Sequence, residues 1–134
     1  MKISSKGRYA VRVMADIALT NEEFVSLSEI ADRQKLSLKY LEQIISKLVK
    51  AKLLCSQRGK QGGYKLTRAP KDISVSQILA VTGDLPKFAP CINSSKNCPL
   101  EKNCTGLGCW ATLSKIIFDY LDNVSLQDLL DKTY

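Results

Sequence analysis

Two amphipathic helical segments lie almost end to end between Ser26 and Lys50. The first begins at Ser26, which can exchange hydrogen bonds with Glu29 so that each side chain meets the other residue's backbone N–H, an arrangement called a capping box. After a break at Lys35-Leu36, Ser37 is the candidate N-cap of a longer helix. A short helix, a tight break and a longer helix predict a helix-turn-helix, with an ordinary pair of packed helices as the alternative.

An earlier helix is predicted from about Ser5 to Leu19, because apolar residues recur at helical spacing along one face. Its opposite face carries Lys6, Arg8 and Arg12 and is therefore basic and solvated. The apolar stripe predicted for the longer helix of the pair consists of Leu38, Leu41, Ile44, Ile45, Leu48 and Val49. Its outward positions are Lys39, Glu42, Gln43, Ser46, Lys47 and Lys50.

A glycine-rich basic hairpin is predicted directly after the second helix of the pair. The runs 53–57 and 64–67 are typical of short strands, and the glycines between them permit the positive φ of a tight turn. The tip offers Arg58 and Lys60 on a backbone with little side-chain bulk, a shape that can enter the minor groove of a duplex. We interpret the hairpin as the wing of a winged helix, with a flexible basic surface turn as the alternative.

The positive charge of the chain is confined to its first half. The net charge is +7; residues 1–70 carry 14 Lys and Arg against 6 Asp and Glu, and residues 71–134 carry 6 against 7. This distribution favours a polyanionic partner such as double-stranded DNA. No run is apolar enough to span a bilayer and the amino terminus has no signal-peptide core, so we expect a soluble cytoplasmic protein without a membrane partner.

Histidine is absent from the chain. Its absence excludes Ser-His and Cys-His nucleophilic pairs as well as His-ligated zinc. We expect neither an enzyme nor a small-molecule substrate.

The second half begins with a helix that Ser74 is predicted to cap and that ends near Gly83. Residues 84–108 show no helical or strand period, which is unusual in so small a chain unless a ligand or a function organises the loop. A further helix is predicted over 110–122, and Ser125 is expected to cap a last short one.

The 110–122 helix is amphipathic, and a domain of this size has little core left to receive its large apolar residues. We predict that it packs against its counterpart in a second copy of the chain, since helix-turn-helix proteins commonly bind paired half-sites as two-fold dimers. Packing onto its own domain is the alternative. The predicted interface residues are Trp110, Leu113, Ile117, Tyr120 and Leu121.

Four of the five cysteines lie within 19 residues. Cys91, Cys98, Cys104 and Cys109 are separated by gaps of six, five and four residues. Four thiolates can hold zinc or an iron–sulfur cluster, and the wide gaps favour a cluster because structural zinc usually uses closer pairs. Unligated thiols that sense oxidation are the alternative. Cys55 stands apart among apolar residues and is interpreted as a small buried core residue.

These motifs, in this order, resemble the IscR-type branch of the Rrf family of bacterial winged-helix regulators. The resemblance lies in SSKGRYAVRVMADIAL at the start, LSEIADRQKLSLKYLEQIISKLVKAKLL through the helix-turn-helix, SQRGKQGGYKL at the wing, and three cysteines followed by a tryptophan. It covers essentially the whole chain. It implies a mainly α fold with a small β-hairpin wing: a winged helix-turn-helix DNA-binding domain over 1–83, a cysteine-rich cluster-binding loop over 84–109, and a dimerisation helix with a short C-terminal helix over 110–134.

The resemblance also implies a homodimeric repressor or activator that binds DNA and carries an iron–sulfur cluster, with 2Fe-2S expected ahead of 4Fe-4S. Three of the family's ligands carry over to Cys91, Cys98 and Cys104. The fourth is a histidine in IscR-like members, and its position here is Leu107, which cannot ligate iron.

Cys109 is the first candidate to replace that histidine, because it lies in the same short segment. The alternative is that Cys109 packs inward beside Trp110. Glu101, an Asp or Glu from the first-helix region, or an external thiol are further candidates for the fourth ligand.

The predicted DNA contacts lie on three elements. The start of the recognition helix would meet phosphates and base edges in the major groove. Arg58 matches the wing arginine that the family places in the minor groove. The first helix would hold backbone phosphates, and solvated surface positions are the alternative for every member. The full set is Lys6, Arg8, Ser37, Lys39, Tyr40, Glu42, Gln43, Arg58 and Lys60.

Two other functions compete with a regulator that senses a cluster. A cluster-free repressor on the same scaffold would sense thiol oxidation or act in cysteine metabolism, as cluster-free members of the family do. An iron–sulfur electron carrier has suitable ligands but no use for a basic wing.

Overall fold

The computed structural model of the chain describes residues 2–20, 23–85, 87–93 and 98–134. Within these residues lie seven α-helices and one two-stranded antiparallel sheet, which confirm the predicted mainly α fold with a β-hairpin wing. The elements in chain order are α1 Ser5–Ala18, α2 Leu27–Gln34, α3 Leu38–Lys50, β1 Leu54–Gln57, β2 Gly63–Leu66, α4 Val75–Thr82, α5 Pro90–Asn93, α6 Leu107–Asn123 and α7 Leu126–Asp131. Short 3-10 turns occupy Pro70–Asp72 and Glu101–Asn103.

Serine side chains begin five of these helices. Ser26, Ser74 and Ser125 form capping boxes with the residue three positions on, and Ser37 accepts the Tyr40 N–H, as the sequence predicts. The sequence reasoning missed Ser4, whose hydroxyl accepts the Gly7 N–H at the start of α1. Each cap satisfies backbone donors that would otherwise have no partner.

The core lies where α1, α3 and α4 meet, and Leu126 of α7 closes it. Met14, Leu41 and Ile78 have no solvent exposure. Burying side chains of this size stabilises the fold by about 1.5–3 kcal/mol each, so this cluster fixes the helix-turn-helix against α1.

One residue of the predicted apolar stripe is not in the core. Leu38 is 51% exposed, whereas Leu41 is fully buried one turn later. Leu38 is the first residue of α3, and its neighbours Ser37 and Lys39 are exposed as well. The expectation that Leu38 packs inward is therefore wrong.

The hairpin pairs Leu54 with Leu66 and Gln57 with Gly63. Val25 joins its outer edge through two hydrogen bonds with Tyr64, of 2.9 and 2.8 Å. Gly63 has φ +151°, and a Cβ there would lie 2.1 Å from the Val25 carbonyl oxygen. Only glycine allows this close approach, which ties the wing to the segment before α2.

The expectation that 84–108 lacks regular structure is wrong in part. The single turn of α5 and the 3-10 turn Glu101–Asn103 lie within that range, and α6 begins at Leu107 rather than Trp110. One helical turn is too short to show a periodic pattern, so the sequence could not reveal these turns.

No residue of α6 is buried. Its C-terminal end packs on the core through Leu121, beside Val124, Val75 and Leu79, and Asp122 accepts a 2.5 Å hydrogen bond from Ser76. The rest of the helix extends away with its apolar side chains largely uncovered. Among the described residues no helix is long and apolar enough to cross a membrane.

Candidate nucleic-acid interface and cysteine segment

The start of α3 presents polar side chains to solvent. Ser37 caps the helix by accepting the Tyr40 N–H at 3.3 Å, which places its hydroxyl at the tip. Lys39, Glu42 and Gln43 are exposed on the first turns. Hydroxyl, ammonium, carboxylate and amide groups together can bond both phosphates and base edges.

Tyr40 is held in place by an aromatic partner. Its ring meets that of Tyr9 edge to face, with centroids 5.9 Å apart and planes at 90°. The residue is half-buried, and the contact with Tyr9 holds its ring against α1. Such pairs contribute about 0.5–1.5 kcal/mol beyond their buried area, and this one connects α1 to the recognition helix.

A polar network that the sequence reasoning missed joins α1 to the end of α2. Asp16, only 8% exposed, accepts from Arg33 Nε at 3.0 Å and Nη2 at 2.8 Å, and from Gln34 Nε2 at 3.0 Å. The hydrogen bonds to Asp16 raise the pKa of Arg33 above its usual value. An acidic residue inside the apolar stripe of α1 was the available sequence signal.

Arg12 extends this network toward the aromatic pair. Its guanidinium donates to the Gln34 side-chain oxygen and backbone carbonyl, both at 3.1 Å, and lies 5.3 Å from the centre of the Tyr9 ring. The sequence placed Arg12 on a basic, solvated face. Arg12 is exposed in the structure, and it also has protein partners between α1 and α2.

The remaining candidate cations lie on the wing tip and on the first turn of α1. Arg58 and Lys60 are exposed at the wing tip, and Arg8 is exposed on the first turn of α1, where it donates to Ser5 Oγ at 3.2 Å. Lys6, on the same turn, is half-buried. These cations lie on α1 and the wing and, with the α3 tip, form the polar set that the sequence singled out.

Cys55 is not the buried core residue that the sequence suggested. It is half-buried on β1, and its thiol lies 3.7 Å from the Lys65 carbonyl oxygen that it bonds. The side chain lines a surface groove of about 650 Å³ with Ile17 and Arg68. Cys55 points to this groove because it lies on the hairpin, where one face remains open.

The four clustered cysteines are all free thiols in the structure. Cys91 on α5 and Cys98 are half-buried, whereas Cys104 and Cys109 are exposed. Cys109 lies in the first turn of α6, so the alternative that it packs into the domain interior is wrong. The side chain of Glu101 lies outside the described part of the chain.

The thiols do not converge on one point within the described residues, where no three Cys, Asp or Glu side chains are placed to hold a metal ion. As a donor set they nevertheless fit an iron–sulfur cluster, because thiolate is its natural ligand and all four are at least partly accessible. Leu107, half-buried at the start of α6, supplies no donor atom.

The apolar side of α6 is uncovered over most of its length. Trp110 is 47%, Ile116 60% and Tyr120 55% exposed. Leu113 is also exposed, and Ile117 and Leu121 are half-buried. Exposed apolar patches of this kind commonly mark protein interfaces.

Comparisons with known proteins agree with this architecture. A family model described as "Rrf2: Iron-dependent Transcriptional regulator" matches residues 3–132. The HTH-type transcriptional regulator IscR of Vibrio cholerae is 40% identical over 131 residues, which are 97% of this chain and 75% of that protein. The corresponding regulator of Aliivibrio salmonicida is 40% identical over 131 residues, 97% and 77% of the two chains.

Two solved structures are similar over the whole chain. T. potens IscR has a TM-score of 0.78 at 39% identity and is covered over 89% of its chain. CymR, described as the global cysteine regulator of B. subtilis, has a TM-score of 0.79 at 32% identity and is covered over 99% of its chain. These matches confirm the family resemblance and the winged-helix fold.

Proposed function

The chain belongs to the Rrf2 family of transcriptional regulators, and on that premise we propose that it is a cytoplasmic, homodimeric DNA-binding regulator whose affinity for its operator responds to an iron–sulfur cluster. The observation that carries the proposal is the joint exposure of the α3 tip and the wing tip. Lys39 and Arg58 are both exposed on elements that the family fold uses against a duplex.

On DNA, the start of α3 enters the major groove. Ser37 and Lys39 bond phosphates, and Tyr40 presents its hydroxyl to the backbone or a base edge. Glu42 and Gln43, one turn on, accept from cytosine N4 or pair with adenine.

The wing and α1 complete the contact. Arg58 enters the minor groove and Lys60 lies beside it, because their backbone has little bulk. Lys6 and Arg8 bond the phosphates next to the first turn of α1. Contacts to phosphates give salt-dependent affinity, whereas base contacts choose the sequence.

A second copy of the chain covers the apolar face of α6. The exposure of Trp110, Leu113 and Tyr120 supports this, since leaving such side chains in water costs free energy that a partner helix recovers. A two-fold dimer also presents two recognition helices to paired half-sites.

Cys91, Cys98 and Cys104 would hold the cluster, with Cys109 as the candidate fourth ligand in place of the absent histidine. Whether the loop holds a cluster would depend on the redox conditions and on the supply of iron. We propose 2Fe-2S ahead of 4Fe-4S as its form. Three of these cysteines lie between α4, which packs in the DNA-binding core, and α6, which the dimer uses, and Cys109 lies in the first turn of α6. Ordering the loop can therefore bias the relative placement of two recognition helices.

Anaerobic purification with iron and sulfide quantification tests the cluster. The wild type should be brown with matched iron and sulfide, and Cys104→Ser should lose most of both. Cys55→Ser is the matched control and should keep them. A colourless wild type with four free thiols in the cluster region would contradict the cluster proposal.

Gel shifts at several salt concentrations test the proposed sequence-specific binding to DNA. The protein should prefer DNA from its own promoter over random duplex of equal length at matched salt. Equal affinity for promoter DNA and random duplex would contradict the proposal of a transcriptional regulator. The iron–sulfur electron carrier would then be the remaining alternative.

A second candidate function is a cluster-free thiol regulator on the same scaffold. The likeness to the CymR structure and the leucine at the histidine position favour it. It predicts colourless protein whose DNA affinity changes on cysteine oxidation.

A further inference from the structure

The carboxylate of Asp84 lies against the first turn of α1. Asp84 follows Gly83, the C-cap of α4, and is the first residue of the cysteine loop, which we call the cysteine segment (residues 84–109). Its Oδ1 accepts the Ser4 N–H at 3.0 Å, and its Oδ2 accepts the Ser4 hydroxyl at 2.7 Å and the Thr82 hydroxyl at 2.6 Å. One side chain thus bonds two parts of the chain that are 80 positions apart.

The contact with α1 is close enough to determine a residue type. A Cβ at Gly7 would lie 2.5 Å from Asp84 Oδ2 and 2.9 Å from its Cγ. As long as Asp84 keeps this position, glycine is therefore the one residue type that fits at position 7 without a clash. The Ser4 hydroxyl in turn caps α1 by accepting the Gly7 N–H at 3.1 Å. The Asp84 carboxylate therefore holds the hydroxyl that caps the helix.

The chemistry of the carboxylate agrees with this geometry. Burial acts to raise the pKa of Asp84, but hydrogen bonds from Thr82 and Ser4 and the nearby N–H groups outweigh it and lower the pKa below its usual value. Asp84 is accordingly charged at neutral pH, and its negative charge interacts favourably with the positive N-terminal end of the α1 dipole.

Lys6 and Arg8 flank Gly7 on the same turn. We propose that Asp84 is a positioning residue through which the cysteine segment fixes the first turn of α1, and with it the phosphate contacts of Lys6 and Arg8. The inference rests on the proposed function and specifies its regulation: a change in the segment reaches DNA by moving or releasing Asp84.

Substitution of Asp84 separates this role from a simple charge effect. Asp84→Asn removes one negative charge, which by itself strengthens binding to a polyanion. The control Asp72→Asn makes the same charge change at an exposed carboxylate in the Pro70–Asp72 turn. With the full chain in iron-free form, we expect Asp84→Asn to bind promoter DNA about tenfold more weakly than Asp72→Asn and to lose about one to two units of salt slope.

A double-mutant cycle gives a readout that a merely structural role would not move. In a Lys6→Ala, Arg8→Ala background, Asp84→Asn should change DNA affinity only as much as the charge control Asp72→Asn does, because the contacts it positions are gone. Additive losses would overturn the proposal, as would a folded Asp84→Asn protein that binds like Asp72→Asn. If Asp84→Asn does not fold, Thr82→Val removes one bond to the carboxylate and should give a smaller loss in the same direction.

Iron-loaded protein tests the coupling. The ratio of DNA affinities between iron-loaded and iron-free protein should fall toward one in Asp84→Asn, and an unchanged ratio would overturn the coupling. Failure of the proposed function is distinguishable. A wild type without preference for promoter DNA, or without iron, defeats that function, whereas an unaltered Asp84→Asn variant of a specific wild type defeats only the positioning role.

Discussion

Asp16 and Arg33 form a bidentate ion pair that connects the last turn of α1 to the last turn of α2, with Arg33 Nε 3.0 Å from Oδ1 and Nη2 2.8 Å from Oδ2. The carboxylate is 8% exposed and the guanidinium 43%. Because one partner is solvated and the other is not, the pair fixes geometry more than it adds stability. The geometry it fixes is the placement of the last turn of α2 against α1.

Asp16→Ala should destabilise the fold by about 1–3 kcal/mol, since Arg33 and Gln34 lose their acceptor and a cavity opens beside α1. Arg33→Lys keeps the charge but cannot make two parallel bonds, so we expect a smaller loss, about 0.5–1 kcal/mol. Urea unfolding at neutral pH measures both. An Asp16→Ala variant as stable as wild type would show that the pair contributes nothing to folding.

Leu38 and Leu41 occupy the same helical stripe with opposite burial. Leu41→Ala should cost about 2–5 kcal/mol because it leaves a cavity in the core, whereas Leu38→Ala should cost under about 1 kcal/mol. Chemical denaturation of the two variants side by side provides the comparison. Equal losses would mean that Leu38 is buried in solution.

The same pair of residues illustrates what sequence patterns can and cannot predict. Periodicity located α3 and its core face, and serine spacing located four helix caps, because these depend on neighbours within one or two turns. Periodicity also placed Leu38 in the core, because an apolar stripe identifies one face of a helix and does not show which positions along that face are buried.

Long-range pairs were missed for the same reason. Asp84 meets Ser4, and Asp16 meets Arg33, through tertiary placement that no local spacing encodes. The clustering of the cysteines predicts a ligand set, which stays a prediction, and their spatial arrangement depends on a segment whose one-turn helices carry no periodic signal.

Arg58→Ala should weaken specific binding to promoter DNA by about 1–3 kcal/mol, since an arginine in the minor groove makes contacts that no neighbour replaces. Lys71→Ala, at an exposed cation outside the wing, is the matched control for lost charge. Gel shifts at one salt concentration compare the two. Indistinguishable affinities would refute the minor-groove role of Arg58.

Stability should fall on the acid side. Backbone and side-chain bonds from Ser26 lower the pKa of Glu29, bonds from Ser125 lower that of Asp128, and the pKa of Asp84 is lowered as described above. A carboxyl whose pKa is lower in the folded state than in the unfolded state stabilises the fold above the unfolded value, about 4, and loses this as pH falls through the folded value.

Urea midpoints measured from pH 7 down to pH 3 should therefore decline below about pH 4.5. Asp84→Asn should show a shallower decline than wild type because one of the contributing carboxyls is gone. A constant midpoint across this range would contradict the lowered values.

The dimer prediction depends on the exposed face of α6. Tyr120 is 55% exposed in the single chain, so Tyr120→Glu should leave the monomer fold intact while placing a charge in the interface. Wild type should sediment near twice the 14.9 kDa chain mass at micromolar concentration, and Tyr120→Glu should shift toward the monomer with a dimer dissociation constant raised at least about tenfold. Ser46→Glu adds the same charge on the exposed face of α3 and should remain dimeric. A monomeric wild type would contradict the predicted dimer and the paired half-sites that depend on it. A Tyr120→Glu variant that stays dimeric would show that the interface lies on another surface.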